Sequence, residues 1–157
     1  MTRTVTAATL TVTHTESITL NGVDHGSTNT LSIASINEVM KRIVTVPTSE
    51  VEVLALHVSA VSSGTFLEAD VRYIRLTNLD DTNHVTLTFK NENDDEFAVL
   101  LDKGQTFVYN SDLADGMVNT MDAIDGTGLS LSLGDLVNVT AIAHTASCDL
   151  EIFVASA

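Results

Sequence analysis

The sequence contains no tryptophan, one proline, one cysteine and only seven cationic side chains in 157 residues. Each shortage excludes something. The single cysteine, Cys148, cannot close an internal disulfide and has no second thiol with which to share a metal. It stands in the alternating run Ala146-Ser147-Cys148-Asp149-Leu150 with no activating neighbour, so it reads as a small buried hydrophobe. The cations, Arg3, Lys41, Arg42, Arg72, Arg75, Lys90 and Lys103, are scattered, and Lys41-Arg42 is their one adjacent pair. Against them stand 21 Asp and Glu, a formal charge of −14 at pH 7. Neutralising a phosphate takes a cation, and so negative a surface repels nucleic acid and anionic lipid alike. No run of about 18 apolar residues offers a membrane span. Thr2 and Arg3 lead into alternating Thr and small residues, unlike the apolar segment of a secretory signal. The expectation is no nucleic-acid partner and no membrane.

What the chain has is Thr, Ser and β-branched residues in runs of period two. Such residues fit a pleated surface better than a helix. Leu10, Val12, Ile18 and Leu20 share one parity, with Thr between them, and Asn21-Gly22 supplies a tight turn. Val51–Val61 is apolar on both parities, as in a strand covered on both sides. Val85, Leu87 and Phe89 alternate with Thr86, Thr88 and Lys90; a polar turn follows, and Phe97, Val99 and Leu101 resume. This predicts a hairpin from His84 to Leu101. Lys103-Gly104 turns the chain again before Phe107 and Tyr109. Leu129, Leu131 and Leu133, then Val137, Val139 and Ala141, then Cys148, Leu150, Ile152 and Val154 repeat the theme. Residues 35–43 fit two patterns. Ile36, Val39, Met40 and Ile43 have helical spacing, and Ser35 with Glu38 forms a capping box; Ile43-Val44-Thr45-Val46 before Pro47 argues a bulged strand instead. The segment Asn110–Thr127 lacks periodicity and is expected to cross the fold or reach a partner. Eight to ten strands without alternating helices predict an all-β, single β-sandwich, jelly-roll-like, over residues 1–157.

Chemistry-bearing constellations are sparse. Asp80-Asp81, Asp94-Asp95-Glu96 and Asp122 with Asp125 could offer oxygens to Ca²⁺, yet none has the D-x-[DN]-x-[DN]-G arrangement, and they suit solvated turns. His14, His25, His57, His84 and His144 never recur at i+3 or i+4. A G-x-S-x-G elbow and both glycine-rich phosphate loops are absent. Asn138-Val139-Thr140 has the form of a glycosylation sequon but falls inside an expected strand. For stacking against sugars only Tyr73 and Tyr109 could be spared from the core. The reading is therefore of a non-enzyme with no cofactor and no metal; a small hydrolase would need a nucleophile and base that are not placed together.

The stretch Val71-Arg72-Tyr73-Ile74-Arg75-Leu76-Thr77-Asn78-Leu79-Asp80-Asp81-Thr82-Asn83 and the later Glu96-Phe97-Ala98-Val99-Leu100-Leu101-Asp102-Lys103-Gly104-Gln105-Thr106-Phe107 resemble small all-β structural proteins of tailed bacteriophages, especially marine ones. The closing Asp149-Leu150-Glu151-Ile152-Phe153-Val154 is similar to that family's ending. The resemblance supplies no catalytic residues. It implies a virion structural protein, foremost a decoration or cement protein on the capsid exterior, assembled in the host cytoplasm. Its partners would be the major capsid protein and copies of itself as a homotrimer. The alternative is a receptor- or glycan-binding module of a phage tail or fibre. Residues 1–9, with no large apolar side chain after Met1, form a candidate extended N-terminal arm. Thr2, Arg3, Thr4, Val5 and Thr6 are the expected interface residues, adding a strand to a neighbour.

Overall fold

Alternation along β8 (Val85–Asn91) shows how the core is built: Val85, Leu87 and Phe89 are fully buried, while Thr86, Thr88 and Lys90 face outward. The computed structural model describes residues 4–111, 114–123 and 132–157, and among these there is no helix. The remaining strands are β1 (Ala8–Glu16), β2 (Thr19–Leu20), β3 (Val23–Asp24), β4 (Ser27–Ile36), β5 (Glu38–Val46), β6 (Val51–Ala55) and β7 (Val71–Asn78). They continue with β9 (Glu96–Leu101), β10 (Thr106–Asn110), β11 (Leu136–Ala143) and β12 (Cys148–Ser156).

β5 to β12 form two four-stranded antiparallel sheets, ordered β10-β7-β12-β5 and β6-β11-β8-β9. The pairing is nested: β5 with β12, β6 with β11, β7 with β10 and β8 with β9. The eight strands thus behave as one long antiparallel ribbon rolled up on itself, and β7–β12 and β8–β11 pairing closes each sheet. This is jelly-roll order. Ile74, Leu76, Leu150, Ile152 and Val154 from one sheet meet Leu87, Phe89 and Val139 from the other, all fully buried. Phe89 sits at the centre of an aromatic cluster, stacked on Phe97 at 4.9 Å and packed on Phe107 at 5.0 Å and Tyr109 at 5.8 Å.

The His84–Leu101 hairpin is present as β8 and β9, with Phe89 opposite Phe97. Residues 35–43 take the bulged-strand form. Ser35 has a positive φ of 63°, and Asn37 donates its N–H to Ser156 O at 3.0 Å between β4 and β5. The helical stripe is split: Ile36 is buried and Met40 packs on the core, whereas Val39 and Ile43 are more than half exposed on the opposite face of β5. Period two over Met40–Val46 outweighs the capping box.

The expected strand over Val51–Val61 ends early, at Ala55. The neighbours Val53 and Leu54 are both buried because the β6–β11 register shifts here, and Val58 and Val61 are left exposed in the loop that follows. Within Asn110–Thr127, Met117 and Met121 are buried; the Met117 N–H donates to Glu68 O, and Met121 bridges Gly134. The expected strand at Leu129 and Leu131 lies outside the described residues, and Leu133 is not in a strand.

Candidate functional site

None of residues 4–36 joins the two main sheets. β1 pairs with β4, and β2 with β3, in one long antiparallel ribbon. Asn21 and Gly22, with φ of 51° and 79°, make the two-residue turn at its end; positive φ at both positions is what Asn-Gly supplies. At the ribbon's root, Ile33 and Ile36 are buried with Tyr73 and Ala155, and Leu10, Val12, Leu31, Val108 and Phe153 pack around them. This small second core lies on the outer face of the β10-β7-β12-β5 sheet.

Beyond the root the ribbon is uncovered. From Thr13 to Thr30 every residue but Gly26 is exposed. The His25 N–H donates to Ile18 O at 2.9 Å, and Leu20 pairs with Val23. Paired residues share a face, and so do residues two apart along a strand, which puts Ile18, Leu20 and Val23 together. They are 55%, 58% and 56% exposed. Local polar ties hold the hairpin: Thr15 to Thr28, Ser27 to Glu16, and the Gly26 N–H to Asp24. A two-stranded hairpin without a covered face is marginal in water, and both ribbon edges carry unpaired backbone groups.

A cleft of about 260 Å³ opens between the ribbon root and the sheet, lined by Leu10, Thr11, Val12, Thr13, Tyr73, Arg75 and Phe153. Arg75 pairs with Glu151 at 2.6 Å and lies over the Phe153 ring at 5.7 Å; Lys41 reaches the same carboxylate at 3.3 Å. Burial pushes the Glu151 carboxyl up, but the hydrogen bonds from Lys41 and Arg75 outweigh it and hold the group below its ordinary value.

The residues named from sequence fall unevenly on this site. Thr2 and Arg3 lie outside the described residues, while Thr4, Val5 and Thr6 are exposed and outside any strand. The extended N-terminal element is the two-stranded ribbon of residues 8–36, so Ala8 and Thr9 belong to a strand: Ala8 pairs with Ile36. Tyr73 is only 5% exposed and packs edge-on against Phe153, and Tyr109 donates its hydroxyl to Thr120 O at 2.7 Å. Neither is a free platform for a sugar ring.

Cys148 is buried, and burial first, then the charges of Asp80 and Asp149, pushes its thiol up, away from the reactive thiolate. The His84 and His144 rings stack at 4.3 Å, with His144 Nε2 2.8 Å from the Thr86 hydroxyl. Among the described residues no three His, Cys, Asp or Glu side chains are gathered as a metal site. The acidic turns use their carboxylates locally: Asp80 accepts from the Thr82 and Asn83 N–H groups at 2.8 and 2.6 Å. Those two bonds hold the Asp80 carboxyl below its ordinary value.

Sequence reasoning missed Glu68, which is 5% exposed with its Oε2 buried and unpartnered. Burial, then the charges of Asp135 and Glu92, raises its carboxyl above the usual range. A raised folded value means that the stabilising contribution is complete below the unfolded value and is lost as pH rises through the folded one. Glu68→Gln, neutral at every pH, should therefore raise the thermal midpoint at pH 7.5 and give no such gain at pH 4. Calorimetry at the two pH values checks this; an equal shift at both would contradict it.

No protein family matches the sequence, and a search of the curated proteins finds no match.

Proposed function

We propose that the chain is a non-enzymatic virion structural protein that decorates the outside of a tailed-phage head as a homotrimer. The observation that carries this reading is the ribbon. A jelly roll with a large buried core needs no further cover, yet it holds out a ribbon of 18 residues, all but Gly26 exposed, ending in an apolar face. Exposed apolar patches with unpaired strand edges are association surfaces. The resemblance of Val71–Asn83 and Glu96–Phe107 to phage structural proteins supplies the setting, and −14 favours the outside of a shell over contact with packaged genome.

The major capsid protein is the partner in this reading. Purified heads lacking the protein, mixed with increasing amounts of it and sedimented, should bind it to saturation at a fixed number of copies per head. Protein that stays in the supernatant, or that sediments with tails or host cells instead, would overturn the proposal.

A further inference from the structure

We infer that the ribbon tip of one copy seats in the cleft at the ribbon root of a second copy, so that copies link head to tail. The inference deepens the assembly reading and rests on its claim of self-association, though not on capsid binding.

Three observations carry it. The tip has one apolar face, Ile18, Leu20 and Val23, each more than half exposed, and the cleft is walled by Leu10, Val12, Tyr73 and Phe153. A cavity of 150 Å³ with such walls accepts a benzene-sized group; the cleft's roughly 260 Å³ leaves room for about two aliphatic side chains. Charge fits as well. Between Thr13 and Thr30 the charged residues are Glu16 and Asp24, both acidic, while the one charged residue among those lining the cleft is Arg75. Arg75 and Lys41 both bind the carboxylate of Glu151, so two cationic groups flank the opening. In a chain of −14, a like-charged copy is tolerated only where such local complementarity exists. Finally, the tip cannot reach its own cleft. The cleft is at the root of the same ribbon, and folding back would break the β1–β4 ladder. The occupant must come from another copy. A heterologous contact of this kind closes into a ring or runs on as a filament; a ring of three is the form that the assembly reading calls for.

Crosslinking and mass test this directly on the purified chain. The double variant Thr13→Cys with Val23→Cys places one thiol at the cleft and one on the tip. They are several residue pairs apart along the ribbon, beyond the Cα separation of about 7 Å that a disulfide spans within one chain. Oxidation should give covalent dimers and trimers, while each single variant stays uncrosslinked; Cys148, being buried, does not compete. Leu20→Asp should weaken self-association about tenfold or more by analytical ultracentrifugation. Its thermal midpoint, at a dilution where both proteins are monomeric, should match the parent. Crosslinking of Val23→Cys alone would mean that tips meet tips and would overturn the inference. Unchanged association of Leu20→Asp, or a parent chain that is monomeric at every concentration, would overturn it too. None of these three results bears on whether the protein binds heads, and failure to bind heads leaves the crosslinks intact.

Discussion

Phe89→Ala should lower the thermal midpoint by about 10 °C or more, from a loss on the order of 3–5 kcal/mol. Phe89 is fully buried and is the one ring that touches Phe97, Phe107 and Tyr109 together. Those partners sit on β9 and β10, so Phe89 joins an edge strand of each sheet through the middle of the core. Truncation leaves a cavity that three rings border and that β-sheet backbones cannot collapse to fill. Phe89→Leu should recover a large part of the loss, because it restores much of the volume. Thermal unfolding followed by circular dichroism measures both. A shift of less than about 3 °C for Phe89→Ala would show that the cluster is not the centre of the core.

Asn78→Ala should cost about 2–4 kcal/mol, measured as a lower urea midpoint with unchanged slope. Asn78 is fully buried at the end of β7. Its Nδ2 donates to Asn83 O at 2.9 Å and Leu101 O at 3.2 Å, and its Oδ1 accepts the Asp80 N–H at 3.0 Å. One amide thereby ties the β7–β8 turn to the end of β9 in the opposite sheet. Alanine removes all three bonds, one of them fully buried, and a buried group left without a partner costs about 1–3 kcal/mol. Asn78→Asp should fare no better, since a carboxylate cannot donate to either carbonyl. A variant as stable as the parent would mean that water replaces all three bonds.

Much of this fold can be read from the chain. Strict alternation over Val85–Phe89 and Phe97–Leu101 names both strands, their buried face and the turn between them, because side-chain period and sheet pleat are the same quantity. Asn21-Gly22 marks its turn because few other pairs tolerate two positive φ angles. Periodicity fails where cover is at issue. Leu10 and Val12 share parity with Ile18 and Leu20, yet the first pair packs on Tyr73 and Phe153 while the second meets solvent. Parity tells which face is apolar and not whether anything lies on it. Parity likewise does not show that Ala8 and Thr9, placed in the expected arm, open the ribbon that runs to residue 36, while residues 4–7 lie outside any strand. Glu68 escaped notice for a different reason: Asp135 and Glu92, whose charges act on it, lie 67 and 24 residues away in the chain. Asn78 is half legible, because Asn83 is near in sequence and Leu101 is not.

The central claim is that the ribbon beyond Thr13 serves assembly and not folding. Thr13 and Thr30 stand opposite each other in the ladder, so residues 14–29 can be replaced by Asn-Gly, a two-residue turn that closes the shortened hairpin. Co-sedimentation of this chain with purified heads, alongside its thermal midpoint, is the most direct measurement. The account predicts a midpoint within about 2 °C of the full-length monomer, since none of the removed residues is buried, together with loss of trimer formation and of stable head binding. A shortened chain that still forms trimers and saturates heads like the parent would contradict it.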